Sequence, residues 1–271
     1  MNQSSPNAIA VGRKKMRVLC LHGFDTNAYI MEMQVGMSVL GKRPLWDMFD
    51  LVFVDAPHRT ADESTVNDIV RTAFGPQDPT VGYRKWWSYR NGTYDGLEAS
   101  LRSVAQTISE RGPFDGVCGF SQGGTLALHL IADQLRRRDD PAYALASEPF
   151  PPSKFKFGIV FSAQVPQVPS RGAELYPFRG VGAGRAPGCV YRDFPVFGLA
   201  QADDASVSSS KTRAAVEFFA DSLYIENESG GHKVGQVDEG FTQVVEFFKR
   251  VAQGQTADGA KRRYRRYGCC L

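Results

Sequence analysis

The hydrophobic positions along the chain form two alternating kinds of segment. Apolar residues recur at three- and four-residue spacing over 93–111 and 241–251, which is typical of amphipathic helices. Between such segments lie short apolar runs of the kind found in strands buried on both faces of a parallel sheet. The alternation predicts an α/β fold with a mostly parallel central sheet and helices on both faces. The runs lie at 17–21, 50–57, 114–118, 155–161, 195–199 and 223–225.

One transition from strand to helix carries candidate chemistry. The segment Gly119-Phe120-Ser121-Gln122-Gly123 follows an apolar run and precedes a helical pattern. Gly-x-Ser-x-Gly in this setting is typical of a nucleophile elbow, where a tight turn exposes the serine hydroxyl and the glycines let neighbouring chain segments pass close by. A glycine-rich turn without chemistry is the alternative interpretation. The strand before and the helix after favour the elbow, with Ser121 as the nucleophile.

The partners that a serine nucleophile needs follow later in the chain. In α/β-hydrolases the order is serine, then an acid after a later strand, then a histidine after the next strand. His232 is the best candidate base, because it lies between the last predicted strand and the last helix. Asp203 and Asp204 compete for the acid, and the Asp-x-x-Val spacing to Val207 favours Asp204. The predicted catalytic residues are therefore Ser121, Asp204 and His232.

Two backbone amides are candidates for an oxyanion hole. The first strand ends in His22-Gly23-Phe24, and a His-Gly turn at this position presents an N–H group to the oxyanion in such hydrolases. The second donor is the residue after the nucleophile. We therefore expect the N–H groups of Phe24 and Gln122 to face the reacting carbonyl, although a plain glycine turn is the alternative for His22-Gly23 alone.

The segment 58–91 has weak periodicity and reads as a long loop. Such loops in compact domains are usually functional, and Trp86 and Trp87 lie within this one. These aromatic side chains are candidates for binding the substrate. An equal alternative is that they pack the loop onto the body of the domain.

Length, composition and charge limit the class of protein. A chain of 271 residues with 42% apolar residues is long enough for one large α/β domain. It contains no apolar run long enough to span a bilayer and no signal-peptide pattern near its start, so we expect a cytoplasmic protein. Basic residues concentrate at the two ends while the body is mildly acidic, so no nucleic-acid partner is expected despite the net charge of +3. The domains predicted are a flexible basic leader at 1–16, a hydrolase domain at 17–250 and a disordered basic tail at 251–271.

The cysteines and histidines indicate neither a disulfide framework nor a metal site. The five cysteines are scattered, and neither Cys-x-x-Cys nor His-Glu-x-x-His occurs. No metal and no cofactor are therefore expected.

The tail combines five basic residues between 261 and 266 with Cys269 and Cys270. A lipid together with a polybasic patch anchors a protein stably to a membrane, so palmitoylation or a double-cysteine prenyl signal would give peripheral membrane contact. Gly268 stands where a C-a-a-X box needs its cysteine. A basic tail with incidental thiols is the alternative.

Five segments of the chain carry a resemblance to a known family: 19–24, 94–101, 112–123, 204–207 and 230–232. Together they resemble the FSH family of serine hydrolases, which is akin to acyl-protein thioesterases and carboxylesterases. The resemblance implies a single α/β-hydrolase domain with esterase-type activity on a small or lipid-like acyl ester or thioester, and the triad Ser121, Asp204 and His232. The stretch from Gly198 to Val207 is two residues longer than the usual family pattern, which leaves Asp203 open as the acid.

Two further functions share these residues. A catalytically silent scaffold held at membranes by its tail would keep the fold, and a peptidase of the same fold would keep the whole triad. The intact set of Ser121, Asp204 and His232 favours the hydrolase of esters or thioesters over the scaffold.

Overall fold

The structure is a computed structural model, and it describes residues 14–90, 93–146, 154–166, 191, 193–237, 239–255 and 263–267. Its centre is a parallel sheet with the strand order β11-β10-β9-β8-β7-β1-β2. The predicted parallel sheet is thus confirmed. The strands of this sheet are β1 Met16–Leu21, β2 Phe49–Val54, β7 Gly116–Phe120, β8 Phe157–Phe161, β9 Val196–Gln201, β10 Ser222–Asn227 and β11 Arg263–Tyr267.

Helices cover both faces of the sheet, which explains why its middle strands are unbroken apolar runs. Every residue of β7, β8 and β9 is buried. Two hydrophobic clusters lie on opposite faces, one built around α5 and the other around α1 and α8. The helices are α1 Ala28–Gly36, α2 Leu45–Met48, α3 Asp68–Phe74, α4 Leu97–Arg111, α5 Gln122–Asp139, α6 Pro141–Ala146, α7 Ser209–Val216 and α8 Phe241–Ala252, with 3₁₀ turns at Val39–Gly41 and Glu63–Thr65.

The segment predicted as a long loop contains short regular pieces. Strand β3 His58–Arg59 pairs with β4 Arg84–Lys85, and β5 Ser88–Arg90 pairs with β6 Thr93–Asp95, both antiparallel. Helix α3 lies between the first two strands. Strands of two or three residues are too short to show a periodic pattern, so the sequence did not reveal them.

The structure corrects the prediction for the tail. Helix α8 continues to Ala252, and Arg263–Tyr267 forms the parallel edge strand β11 beside β10, so the prediction of a disordered tail is wrong for these residues. Residues 1–13 of the expected basic leader and most of the segment 164–192 lie outside the described residues, whereas Met16, predicted as the end of the leader, begins strand β1. Among the described helices, none is both long and apolar enough to cross a membrane.

Candidate active site

Ser121 lies on a sharp turn between β7 and α5. Its φ of 52° and ψ of −116° are unusual for a residue with a side chain, and its N–H donates to the Phe161 carbonyl at 2.9 Å. Glycine is required on both sides. A Cβ on Gly119 would lie 2.2 Å from the Gly123 carbonyl oxygen, and one on Gly123 would lie 2.2 Å from the Leu21 carbonyl oxygen. The strained turn that the Gly-x-Ser-x-Gly motif predicts is therefore present.

The structure brings the three predicted catalytic side chains together. His232 Nε2 lies 2.9 Å from Ser121 Oγ, and His232 Nδ1 lies 2.8 Å from Asp204 Oδ2. These residues come from the loops after β7, β9 and β10, which are brought together because the carboxyl ends of parallel strands share one edge of the sheet. The arrangement allows a proton to pass from the serine hydroxyl to the imidazole, with the acid on the far side of the ring.

The Asp204 side chain is fully buried, yet it remains ionised. Its second oxygen accepts hydrogen bonds from the N–H groups of Ser206 at 2.8 Å and Val207 at 2.9 Å. Burial alone raises the pKa of this carboxyl, but the hydrogen bonds from His232 and from the Val207 N–H outweigh burial and hold the pKa below its ordinary value. Asp204 is thereby fixed as an anion that faces the imidazole.

The neighbouring acid, Asp203, has a different position. Its carboxylate is exposed and accepts hydrogen bonds from the backbone N–H groups of Gly230 at 3.1 Å and Gly231 at 2.8 Å. These two bonds, led by that from Gly231, lower the pKa of Asp203. Asp203 therefore holds the loop immediately before His232, whereas Asp204 contacts the imidazole itself.

The predicted oxyanion turn lies beside Ser121. A Cβ on Gly23 would lie 3.6 Å from Ser121 Cβ. Phe24, the next residue in the chain, therefore begins close to Ser121. His22 is fully buried, with Nδ1 2.7 Å from the Gly23 carbonyl oxygen and Nε2 accepting from the Ala56 N–H at 3.0 Å. Burial lowers the pKa of His22 to about 4, so the ring is neutral and ties the turn to the loop after β2.

Gln122 links the elbow to the two tryptophans. Its amide is the first of α5 and has no carbonyl four residues back in the helix, as the predicted oxyanion donor requires. Its side chain accepts from the Trp86 N–H at 2.8 Å and donates to the Trp87 carbonyl at 2.9 Å. The Trp86 indole in turn donates to the His22 carbonyl at 2.9 Å. The long segment is therefore bonded to both halves of the predicted oxyanion hole.

This placement favours one of the two interpretations of Trp86 and Trp87. Trp86 has no exposed surface, and Trp87 is 6% exposed with its ring stacked on Tyr94 at 5.0 Å. The Trp86 ring therefore cannot contact a substrate, and the burial of both rings favours packing over the expected substrate binding. The Trp86 indole supports the predicted oxyanion turn through its bond to the His22 carbonyl.

Two contacts of this site were absent from the sequence interpretation. The hydrogen bonds of Asp203 depend on the loop at Gly230 folding back onto the end of β9. The Gln122 side chain bonds to residues about 35 positions away in the sequence. The only available signal was the glycine pair itself, because two adjacent glycines leave backbone N–H groups unshielded by side chains. Within the ranges that the structure covers, no three His, Cys, Asp or Glu side chains are grouped as metal ligands.

The fold and the site define the class of the protein. A parallel sheet covered on both faces, with serine on a strained strand-to-helix turn and Asp and His on later loops, is an α/β-hydrolase. The family model described as serine hydrolase (FSH1) matches residues 11–244, so the chain belongs to this family. The resemblance inferred from the sequence motifs is thereby confirmed.

Individual relatives carry esterase names. The chain is 32% identical to human esterase OVCA2 over 144 residues, which cover 49% of this chain and 61% of that protein. It is 32% identical over 151 residues to esterase FPY3 of Fusarium mangiferae, covering 56% of this chain and 58% of the relative. The matched region is thus less than two thirds of each relative's length.

A solved structure supports the fold. Zea mays acyl-protein thioesterase 2 superposes with a TM-score of 0.54 over 89% of this chain and 96% of that one, at 18% identity. At this identity the likeness concerns the fold alone.

Proposed function

We propose that the protein is a serine hydrolase that cleaves a carboxylic ester or thioester through an acyl-enzyme, with its catalytic domain at residues 17–250. The observation that carries the proposal is the continuous hydrogen-bonded series from Ser121 through His232 to Asp204, at 2.9 and 2.8 Å. The family and the names of the esterase relatives support the same class of reaction.

In the proposed mechanism, His232 Nε2 accepts the Ser121 proton as Oγ attacks the carbonyl carbon. Asp204 stabilises the imidazolium that forms and keeps the ring oriented through Nδ1. The imidazolium then donates its proton to the leaving alcohol or thiol, and the acyl group stays on Oγ. Water activated by the same imidazole releases the acid and restores Ser121.

The oxyanion is assigned to the N–H groups of Phe24 and Gln122. The turn beside Ser121 and the unpaired start of α5 support this assignment. In water-excluded sites one such donor contributes about 10²–10³ in rate. The bonds from the Gln122 side chain to the Trp86–Trp87 backbone, and from the Trp86 indole to the His22 carbonyl, tie the segments of both proposed donors to the same loop.

Hydrolysis of p-nitrophenyl esters of increasing chain length tests the proposal. We expect wild-type activity that Ser121→Ala abolishes, with unchanged folding by circular dichroism. Equal and negligible rates for both proteins would favour the silent scaffold. Cleavage of peptide amides in preference to esters would favour the peptidase, and paired oxygen and sulfur esters of one acid separate esterase from thioesterase activity.

For the tail, we propose peripheral membrane contact on the cytoplasmic side through lipids on Cys269 and Cys270. The support is the sequence alone, in which basic residues precede both thiols. Fractionation of cells that express the wild type or the Cys269→Ser/Cys270→Ser protein is the test. Membrane association that survives the double substitution, or is never present, would contradict the proposal.

A further inference from the structure

Helix α1 carries exposed apolar side chains beside the exposed Glu32, in addition to its apolar buried face. Its buried face is formed by Ile30, Met31 and Val35. Surface helices normally place polar side chains toward water, so several large apolar side chains exposed along one side of a helix indicate something that covers them in function. The exposed apolar side chains of the helix and of the residues that flank it, together called the apolar stripe, are Phe24 at 46%, Tyr29 at 63%, Met33 at 40% and Met37 at 60% exposure.

The apolar stripe borders the candidate active site. At its start, Phe24 belongs to the turn beside Ser121. At its end, the Met37 carbonyl accepts from Gln236 Nε2 at 2.7 Å, and the neighbouring Val39 N–H donates to the Gly235 carbonyl at 3.1 Å. Gly235 and Gln236 lie on the loop that carries His232. Helix α1 therefore connects the loop of the proposed oxyanion donor with the loop of the proposed base.

We propose that the apolar stripe binds the acyl chain of the ester or thioester substrate, an inference that rests on the proposed function. Nine helical residues extend over about 13 Å, comparable to an acyl chain of medium length. Methionine side chains are flexible and polarisable, so Met33 and Met37 adapt to chains of different length. In this arrangement the acyl chain of the substrate starts at the reacting carbonyl near Phe24 and lies along helix α1 toward Met37.

Two other occupants fit the residues less well. Interfacial helices that bind anionic membranes carry Lys or Arg on their polar side, whereas α1 itself has Glu32 and no basic residue. Lys85 lies over the Phe24 ring, 5.5 Å from its centroid, but it belongs to β4 and not to the helix. A stable contact with a second copy needs about 20–30 residues a side, far more than the four side chains of the apolar stripe.

The test compares Met33→Gln/Met37→Gln with the wild type on p-nitrophenyl decanoate and acetate, each below its aggregation concentration. Glutamine has nearly the size and flexibility of methionine, so the exchange removes apolar contact with little change in shape. We expect the ratio of kcat/KM for decanoate to that for acetate to fall about tenfold. Glu32→Gln, an exposed substitution on the same helix, is the matched control and should leave the ratio within about twofold.

An unchanged ratio in an active double variant overturns this inference and leaves the proposed function intact. Absence of any ester hydrolysis by the wild type overturns the proposed function and this inference with it. The same ratio is then measured with decanoate above its aggregation concentration, and a fall seen only there would assign the apolar stripe to a lipid surface and would also overturn the inference.

Discussion

At the scale of single residues, the two adjacent aspartates have separate roles. Asp204 contacts His232 Nδ1, whereas Asp203 bonds the backbone at Gly230 and Gly231. We expect Asp204→Asn to lower kcat by a factor on the order of 10³–10⁴, because the imidazole loses its orienting anion. Asp203→Asn keeps one acceptor oxygen and should lower kcat by only about 3–10-fold with unchanged KM, as a positioning residue does. Steady-state kinetics of both variants check this, and a greater loss for Asp203→Asn would reverse the assignment.

His22 provides a prediction about stability against pH. The fold keeps His22 neutral down to about pH 4, whereas its ordinary pKa is 6.5, so the unfolded chain binds more protons between these values. This contribution is fully present above pH 6.5 and is lost as the pH falls to about 4. In urea unfolding, wild type should lose about 3 kcal/mol more than His22→Asn over this interval.

Parallel pH profiles of the two proteins would contradict the prediction for His22. Carboxyl groups are common to both chains, so their contribution cancels in the difference. An independent measurement on the wild type is the NMR titration of the His22 ring, which should remain neutral at pH 5.

The sequence predicted which residues form the candidate site better than it predicted the side chains that pack around them. Ser121, Asp204 and His232 follow from a motif, from chain order and from a spacing to Val207 that are visible in one dimension. The packing of Trp86 and Trp87 could not be predicted in this way. An aromatic residue in an irregular segment gives the same sequence pattern whether its ring faces a substrate or the core.

At the scale of elements, the elbow depends on backbone approach at its glycines. A Cβ on Gly123 would meet the backbone of β1 at 2.2 Å, whereas one on Gly36 of α1 would have no atom within 4 Å. We expect Gly123→Ala to destabilise the fold by about 2 kcal/mol or more, since the backbone at the end of β1 cannot move aside. Gly36→Ala should be neutral or stabilising by up to about 1 kcal/mol. Urea unfolding measures both, and equal effects would contradict the account of the elbow.

The strands of the sheet were predictable because burial on both faces produces unbroken apolar runs. The runs at 17–21 and 195–199 correspond to β1 and β9. The start of helix α1 is less visible in the sequence, because it is set by the Asn27 side chain, which accepts from the Ile30 N–H. Caps and tight turns act through single hydrogen bonds, which composition does not show.

At the scale of the whole molecule, strand β11 changes the picture of the chain's end. It pairs in register with β10 from Leu223 to Asn227, and so covers what would otherwise be an open sheet edge. A run rich in arginine lacks the apolar pattern of a strand, which is why the sequence indicated a solvated tail. The pairing depends on the backbone and on an available edge, and neither is encoded in local hydrophobicity.

Covalent labelling is the sharpest test of Ser121 as a nucleophile that His232 activates. The folded wild type is treated with a fluorophosphonate and its intact mass and labelled peptide are determined, beside Ser121→Ala and His232→Ala. We expect one adduct on the peptide that contains Ser121, none in Ser121→Ala, and labelling slowed by orders of magnitude in His232→Ala. A folded wild type that does not react, or equal labelling of Ser121→Ala, would contradict this role of Ser121.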